Sequence, residues 1–431
     1  MNTSPISPGL AWYEDGIERP AYPPLDGDMR GDCAVVGGGF TGLSCALRLA
    51  EAGTDVVLLE AHRVGDGASG RNGGQMGTGP RDGVLELEAE VGRMRARALW
   101  DIAEAAKRNL TDVAERYQFP IDHRVGQMSV LHKRKWEKDA RAAVDALNER
   151  YDYPHIAWHD EADMAERLGS RRYHGGTRDV GTGHIHPMKY VVGLARAAAQ
   201  VGATIHEGTA VTKIETGSEA NGAVRLHTLC GTVTADRVLL ALNGTHADLH
   251  PELSAHVMPI RSFIGACPLP AGTDVIPGGE AVDDSRFMVR YFRRIEGAGG
   301  PLLLFGGREA YGREEPADIR RQIGRQIAEV YPQLSGVELT HAWGGSVGIT
   351  PPRMPYVREL EPNLWTAGGY SGHGVMLSNH VGRMIAENWL GGSETIRHLA
   401  ELDVPAFPGG KWLREPIKVA ALTWFSLLDR V

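Results

Sequence analysis

Residues Cys33 to Gly42 read CAVVGGGFTG, a short apolar run that feeds directly into a turn with glycine at 37, 39 and 42. A second apolar run, VVLLE, closes on Glu60 about twenty residues later. Between them, Leu43, Ala46, Leu47 and Ala50 share one face of a helix that Gly53 ends. This strand–turn–helix–strand unit predicts a parallel sheet whose first turn cradles a dinucleotide. The three glycines serve different ends, since Gly37 makes the bend, Gly39 lets backbone approach a pyrophosphate, and Gly42 lets helix and strand touch. The phosphates then meet the N–H groups and positive dipole end of a helix. Glu60 accepts hydrogen bonds from a ribose diol and repels an additional phosphate, so the adenosine ribose is unphosphorylated.

At 431 residues the chain exceeds one ordinary core, and 42% hydrophobic residues suffice for two. The net charge of −8, with both signs interspersed and no basic block, argues against a nucleic-acid partner. Cys33, Cys45, Cys230 and Cys267 have no metal-ligand spacing and read as reduced packing residues of a cytoplasmic protein. No basic-then-apolar leader opens the sequence, and no run of eighteen apolar residues occurs, so neither export nor a membrane is expected.

Periodicity continues the layout. Prolines at 23 and 24 mark Tyr22 to Gly27 as an extended strap across the surface, within an N-terminal arm over 1–30. Helical patterns occupy 94–117, 135–150, 188–200 and 316–331. Strand patterns occupy 203–206, 211–215, 224–228, 237–242, 261–266, 287–293 and 302–305. Late in the chain Leu364–Ala367 enters a second turn, Gly368-Gly369-Tyr370-Ser371-Gly372-His373-Gly374, followed by a helix with Val375, Val381, Met384 and Ile385 on its apolar face. The fold class is therefore α/β with an α+β second domain. A Rossmann-like nucleotide-binding domain is expected from 31–90, 185–245 and 338–400, a substrate domain with a mixed or antiparallel sheet from 91–184 and 246–337, and a tail from 401–431.

A second glycine-rich loop, Gly65 to Gln75, follows Glu60 and Ala61. With the late turn, and with GHIHP at 183–187, GGREAYG at 306–312, RMPYV at 353–357 and FPGG at 407–410, it resembles the D-amino-acid oxidase-like superfamily of FAD enzymes, which includes glycine oxidase and sarcosine oxidase. Within it the chain is most similar to gamma-glutamylputrescine oxidoreductases. The resemblance implies FAD held by Gly37, Gly39, Phe40, Thr41, Gly42, Glu60, Ala61, Arg63, Val211 and Asn243. It places Ser69, Gly70, Arg71, Asn72, Gly73, Gly74 and Gln75 along the isoalloxazine, and Gly369, Tyr370, Gly372, His373, Gly374 and Val375 at its pyrimidine edge. There the final helix N-terminus, with His373, suits the negative charge that a hydride brings.

Relatives with covalent flavin use a late cysteine or a histidine in the second loop. No cysteine follows Cys267 and the loop lacks histidine, so a noncovalent FAD is expected. The implied reaction moves a hydride from the carbon beside a small-molecule amine to flavin N5, and water hydrolyses the imine to an aldehyde or keto acid. Molecular oxygen is the expected electron acceptor, giving hydrogen peroxide; a dehydrogenase feeding a quinone or carrier is the alternative, and a nucleotide-binding protein without turnover another. Alternation sends Tyr291 and Arg293 to one face of a strand, as catalytic and substrate-holding residues, with Trp343 and His186 as further substrate contacts. Arg290 and Gly345 to Gly348 differ from the gamma-glutamylputrescine pattern, which leaves room for another amine or an N-alkyl amino acid.

Overall fold

The computed structural model describes residues 9–217, 222–246, 249–310 and 316–408. The tail from 409, including the end of FPGG and the aromatic residues from Trp412 to Phe425, lies outside them, as do residues 1–8 of the arm and residues 311–312 of GGREAYG.

The described residues form two eight-stranded sheets. In the first, five parallel strands lie in the order Thr204–His206, Val56–Leu59, Met29–Val36, Thr232–Leu240 and Leu364–Gly368. Tyr356–Glu361 closes one edge antiparallel. Val56–Leu59 is buried at all four positions, the unalternating apolar run expected of a strand covered on both faces. The helices Phe40–Glu51, Pro187–Gln200 and Gly374–Trp389 pack together on this sheet. Contact is close because Gly382 has no side chain: a Cβ there would stand 2.0 Å from the Thr41 carbonyl oxygen. The strands that build this sheet come from three separated stretches of chain, 29–59, 204–240 and 356–368.

The second sheet is mixed, in the order His341–Ile349, Met258–Pro268, Gly300–Ala310, Tyr291–Gly297, Ala281–Asp284, Arg124–Val130, Gly176–His184 and Ile156–His159. Among the described residues only Ala281–Asp284 and Arg124–Val130 run parallel in it. His341–Ile349, grouped by sequence with the nucleotide-binding pieces, instead pairs with Met258–Pro268 in this sheet. Three strands that sequence periodicity missed, Arg124–Val130, Ile156–His159 and Gly176–His184, complete its far side. Their polar and half-buried positions blur the period-2 signal.

The arm is exposed at Pro23, Pro24, Asp26 and Gly27, but its earlier residues are anchored in the molecule. Ala11 and Tyr13 are fully buried, and Arg19 donates from Nη2 to the Val64 carbonyl (2.7 Å) and to Asp66 (2.7 Å). Leu25 and Tyr22 donate backbone N–H groups to Thr209 and Glu207, so the arm sutures two distant parts of the nucleotide-binding sheet. Of the four cysteines, all free, Cys33, Cys45 and Cys267 are buried as packing residues, while Cys230 is exposed. Among the described residues no helix is long and apolar enough to cross a membrane.

Candidate cofactor and substrate cavity

The first turn has the expected mechanics. Gly37 sits at φ +114°, where a Cβ would strike the Ala241 carbonyl oxygen at 2.7 Å. A Cβ on Gly42 would lie 2.0 Å from the Gly37 carbonyl oxygen, so only glycine lets the turn fold back on the helix. The helix starts at Phe40 with Gly39, which has no side chain to offer, as its cap. Glu60 reaches back over the turn: Oε2 accepts the Gly38 N–H at 2.7 Å and Oε1 the His62 N–H at 2.9 Å. Burial pushes its carboxyl upward and those two N–H groups oppose the shift.

Between the sheets runs a cavity of about 2000 Å³. That is at least twice the volume typical of a drug-sized ligand, room for an extended dinucleotide and a substrate. It passes Gly37, Gly39, Phe40, Thr41, Glu60, Ala61 and Val211 at one end, then Ser69, Arg71, Asn72, Gly73, Gln75 and Asn243, and reaches Tyr370, Gly372, His373, Gly374, Val375 and Tyr291. The glycine-rich segments are tied together: the Phe40 N–H donates to Ser69 Oγ (2.9 Å), and Thr41 Oγ1 and the Tyr370 hydroxyl lie 2.9 Å apart. Asn72 folds its own loop, donating from Nδ2 to the Ala68 and Ser69 carbonyls and accepting the Gly74 N–H. Asn243 Oδ1 accepts the Gly369 N–H at 2.9 Å.

Five expected cofactor residues shape this wall from behind and do not line it. Gly42, Gly70, Gly74 and Gly369 are close-approach positions, where a Cβ would meet backbone or side-chain atoms at 2.0–2.6 Å. Arg63 donates to the Arg19 carbonyl of the arm at 3.1 Å. Arg71 lines the cavity but its guanidinium is spent elsewhere, on the Gly344 carbonyl (2.7 Å) and the Gly9 carbonyl (2.5 Å), and is 2% exposed.

The substrate assignments divide. Tyr291 does line the cavity, its ring clasped between Gly73 and Gly306, where added Cβ atoms would lie 2.9 and 2.2 Å from ring atoms. Its hydroxyl pairs with Ser262 Oγ at 3.1 Å. Arg293 is on the same sheet face, but two residues on it falls beneath the loop instead of beside the cavity. Its Nη2 donates to the Tyr13 hydroxyl (3.0 Å) and its Nη1 to His184 Nδ1 (2.5 Å). Trp343 and His186 join it there: Trp343 donates to the Arg71 carbonyl, His186 caps the helix Pro187–Gln200, and both rings pack edge-on to Tyr13. These three are a buried strut under the loop, not cavity residues. Burial and Arg293 depress His184 to about 2 and His186 to about 3. Arg290 turns to Glu329 at 2.5 Å and also stays off the cavity.

His373 caps the final helix and lines the cavity, with Nε2 donating to the Gly79 carbonyl at 3.0 Å. Burial, followed by Arg81, lowers it to about 4, so the ring is neutral near pH 7. It therefore fastens the loop at 77–79 and brings no positive charge; electrostatic help at this spot comes from the helix N-terminus. Periodicity also missed Arg81, Gln127, Ser262 and Asp283, all on the cavity. Asp283 stands opposite Tyr291 across the strand pair, in an AVDD segment too short to signal by pattern.

Fold and cavity together define a flavin-type dinucleotide oxidoreductase, with glycine turns at one end and a sheet-walled chamber at the other. Residues 32–388 match the family model described as FAD dependent oxidoreductase (DAO), and the chain belongs to that family. It is 53% identical to the probable oxidoreductase OrdL of Rhizobium meliloti, over 99% of each chain. It is 35% identical to the gamma-glutamylputrescine oxidoreductase of Escherichia coli, over 93% of each. Glycine oxidase from Geobacillus kaustophilus has the same fold, with a TM-score of 0.70 at 22% identity over 87% of this chain and 99% of that one. The protein is thus an FAD-dependent oxidoreductase.

Proposed function

We propose that this protein oxidises a small amine, of the gamma-glutamylputrescine or N-alkyl amino-acid kind, with oxygen as the final acceptor and hydrogen peroxide as a product. The continuous cavity from Glu60 to Tyr291 carries this reading, because a single chamber joins the nucleotide turn to a substrate-sized space. The likeness to gamma-glutamylputrescine oxidoreductase supports the choice of amine.

In this reading Glu60 holds the adenosine ribose, since each of its oxygens keeps acceptor capacity beyond the backbone N–H it already takes. The N-terminus of the helix Phe40–Glu51 faces the pyrophosphate. Asn72, Gly73 and Gln75 line the ring, and Gly374 and Val375, opening the final helix, lie at its pyrimidine edge. Bound there, the flavin supplies a two-electron acceptor for a hydride from the carbon beside the amine, leaving an imine that water hydrolyses. The attachment is noncovalent, because residues Ser69 to Gln75 contain no histidine or cysteine and no cysteine follows Cys267. Tyr291 walls the substrate space, while Arg293 acts on it only through the strut.

The test is anaerobic titration of the purified yellow protein with a panel of amines including gamma-glutamylputrescine and sarcosine. Bleaching by at least one of them, and peroxide on readmitting air, is expected. A flavin that stays oxidised with the whole panel would contradict the reading, and bleaching without peroxide would move the acceptor to a quinone or carrier.

A further inference from the structure

An amine reaches an enzyme at neutral pH as an ammonium ion, its pKa near 10. A carbon beside ammonium does not release hydride, because the nitrogen lone pair that stabilises the product is occupied by the proton. Desolvation disfavours both charges of an ammonium–carboxylate pair, so a buried carboxylate at the amine gives that proton somewhere to go.

Asp283 is such a carboxylate. It lines the cavity and is the cross-strand partner of Tyr291 on one side and of Ser129 on the other. Both hydrogen bonds it accepts fall on one oxygen, Oδ1, from Gln127 Nε2 (2.6 Å) and Ser129 Oγ (2.9 Å). Among the described residues Oδ2 takes none, so the carboxylate is aimed by one oxygen with the other left over. We propose that Asp283 is a catalytic residue: its Oδ2 accepts the proton from the substrate ammonium, giving a neutral amine and a protonated Asp283 before hydride leaves. This inference rests on the amine-oxidation reading above.

Its surroundings suit that role. Burial pushes the Asp283 carboxyl up, making it a better proton acceptor, while Gln127, Ser129 and then Arg81 favour the ionised form. Arg81 lines the cavity and makes no hydrogen bond or ion pair among the described residues. Asp284, next on the strand, is bonded to the Arg286 guanidinium and the Arg290 N–H and adds a smaller upward push. Tyr291 stands on the adjoining strand, and Asp82, His132, Lys133, Lys135, Arg261, Asp284, Arg286, Arg353 and His373 are further titratable or charged groups on the cavity wall.

The experiment is stopped-flow anaerobic bleaching of Asp283→Asn and wild type from pH 7 to 10, with an amine that bleaches the wild type. At pH 7 the variant should be slower by roughly 100-fold or more. The gap should close to within a few-fold near pH 10, where about half of an ordinary amine is already free of its proton. A weakly basic amine, neutral at pH 7, should be oxidised by both proteins at similar rates. Equal rates at pH 7 with the ordinary amine, or a loss of the same factor at every pH, would overturn the proposal and leave the amine reading intact. Failure of every amine to bleach the wild type would remove both. Should Asp283→Asn not retain flavin, Asp283→Glu keeps a carboxylate and should preserve the wild-type pH dependence at reduced rate; a lost pH dependence there would count against the proposal.

Discussion

At the Glu60 end of the cavity the wall is mostly backbone. Gly37, Gly38, Gly39 and Glu60 are joined through one bond that spans 22 residues of sequence, and the glycines matter for the atoms they lack. At the Tyr291 end the wall is side chains gathered from distant segments: Arg81 from a loop, Gln127 and Asp283 from parallel strands, Tyr291 from a third strand and His373 from a helix cap. The first arrangement tolerates no added atom, whereas the second tolerates change in side chains as long as the sheet holds. Binding a fixed cofactor and choosing among substrates ask for these two kinds of wall.

Substitutions at the two ends should therefore differ in kind. The largest effect is expected for Gly42→Ala, whose Cβ would be driven against the Gly37 carbonyl, with the Val35 side chain at 3.0 Å. The protein should be recovered colourless or not at all, as read from the ratio of flavin to protein absorbance; a normally yellow variant would show that the turn relaxes. Next, Gly306→Val should displace the Tyr291 ring, leaving flavin content intact but raising the amine concentration for half-maximal bleaching by tenfold or more, roughly the value of one lost contact. Glu60→Ala should weaken FAD binding by about 1–3 kcal/mol, roughly 5- to 150-fold in Kd, measured by fluorescence titration of the deflavinated protein. Arg293→Met should lower the melting temperature, because it leaves the Tyr13 hydroxyl and His184 Nδ1 without their donor, while the amine dependence of bleaching stays within twofold. A tenfold shift in that dependence would return Arg293 to the substrate.

The last effect is confined to acid. His184 and His186 are neutral when folded, with values depressed to about 2 and about 3, and in the unfolded chain they take up protons below about pH 6.5. Their contribution to stability is present above that pH and is lost as pH falls toward the folded values. Each should contribute a slope of roughly 1.4 kcal/mol per pH unit below pH 6, so His184→Gln should flatten the pH dependence of urea midpoints between pH 6 and 4 by that amount. An unchanged slope would mean that His184 is charged in the folded protein.

The same contrast explains what is legible in the sequence. The Glu60 end depends on residues close in sequence and on glycines whose spacing is the signal, so its mechanics are visible in CAVVGGGFTG and VVLLE. The Tyr291 end depends on register between strands. Alternation places Tyr291 and Arg293 on one face correctly, but it cannot say that the second of them falls under the arm, where Tyr13 and His184 meet it. Likewise, the loop residue Arg71 lines the cavity but buries its guanidinium away from it, because its partners Gly9 and Gly344 lie 62 and 273 positions away. Asp283 and Gln127 escape a sequence reading for the same reason, their strands being short, polar and paired across long separations.

A crystal structure of the flavin-bound protein is the decisive experiment. The adenosine ribose hydroxyls should lie within hydrogen-bond distance of the Glu60 carboxylate, and the isoalloxazine should lie along Asn72 and Gly73, with the space between it, Tyr291 and Asp283 open to substrate. A flavin running in the reverse direction, or one whose ring fills the space in front of Asp283, would contradict both the division of the cavity into two ends and the chemistry assigned to each.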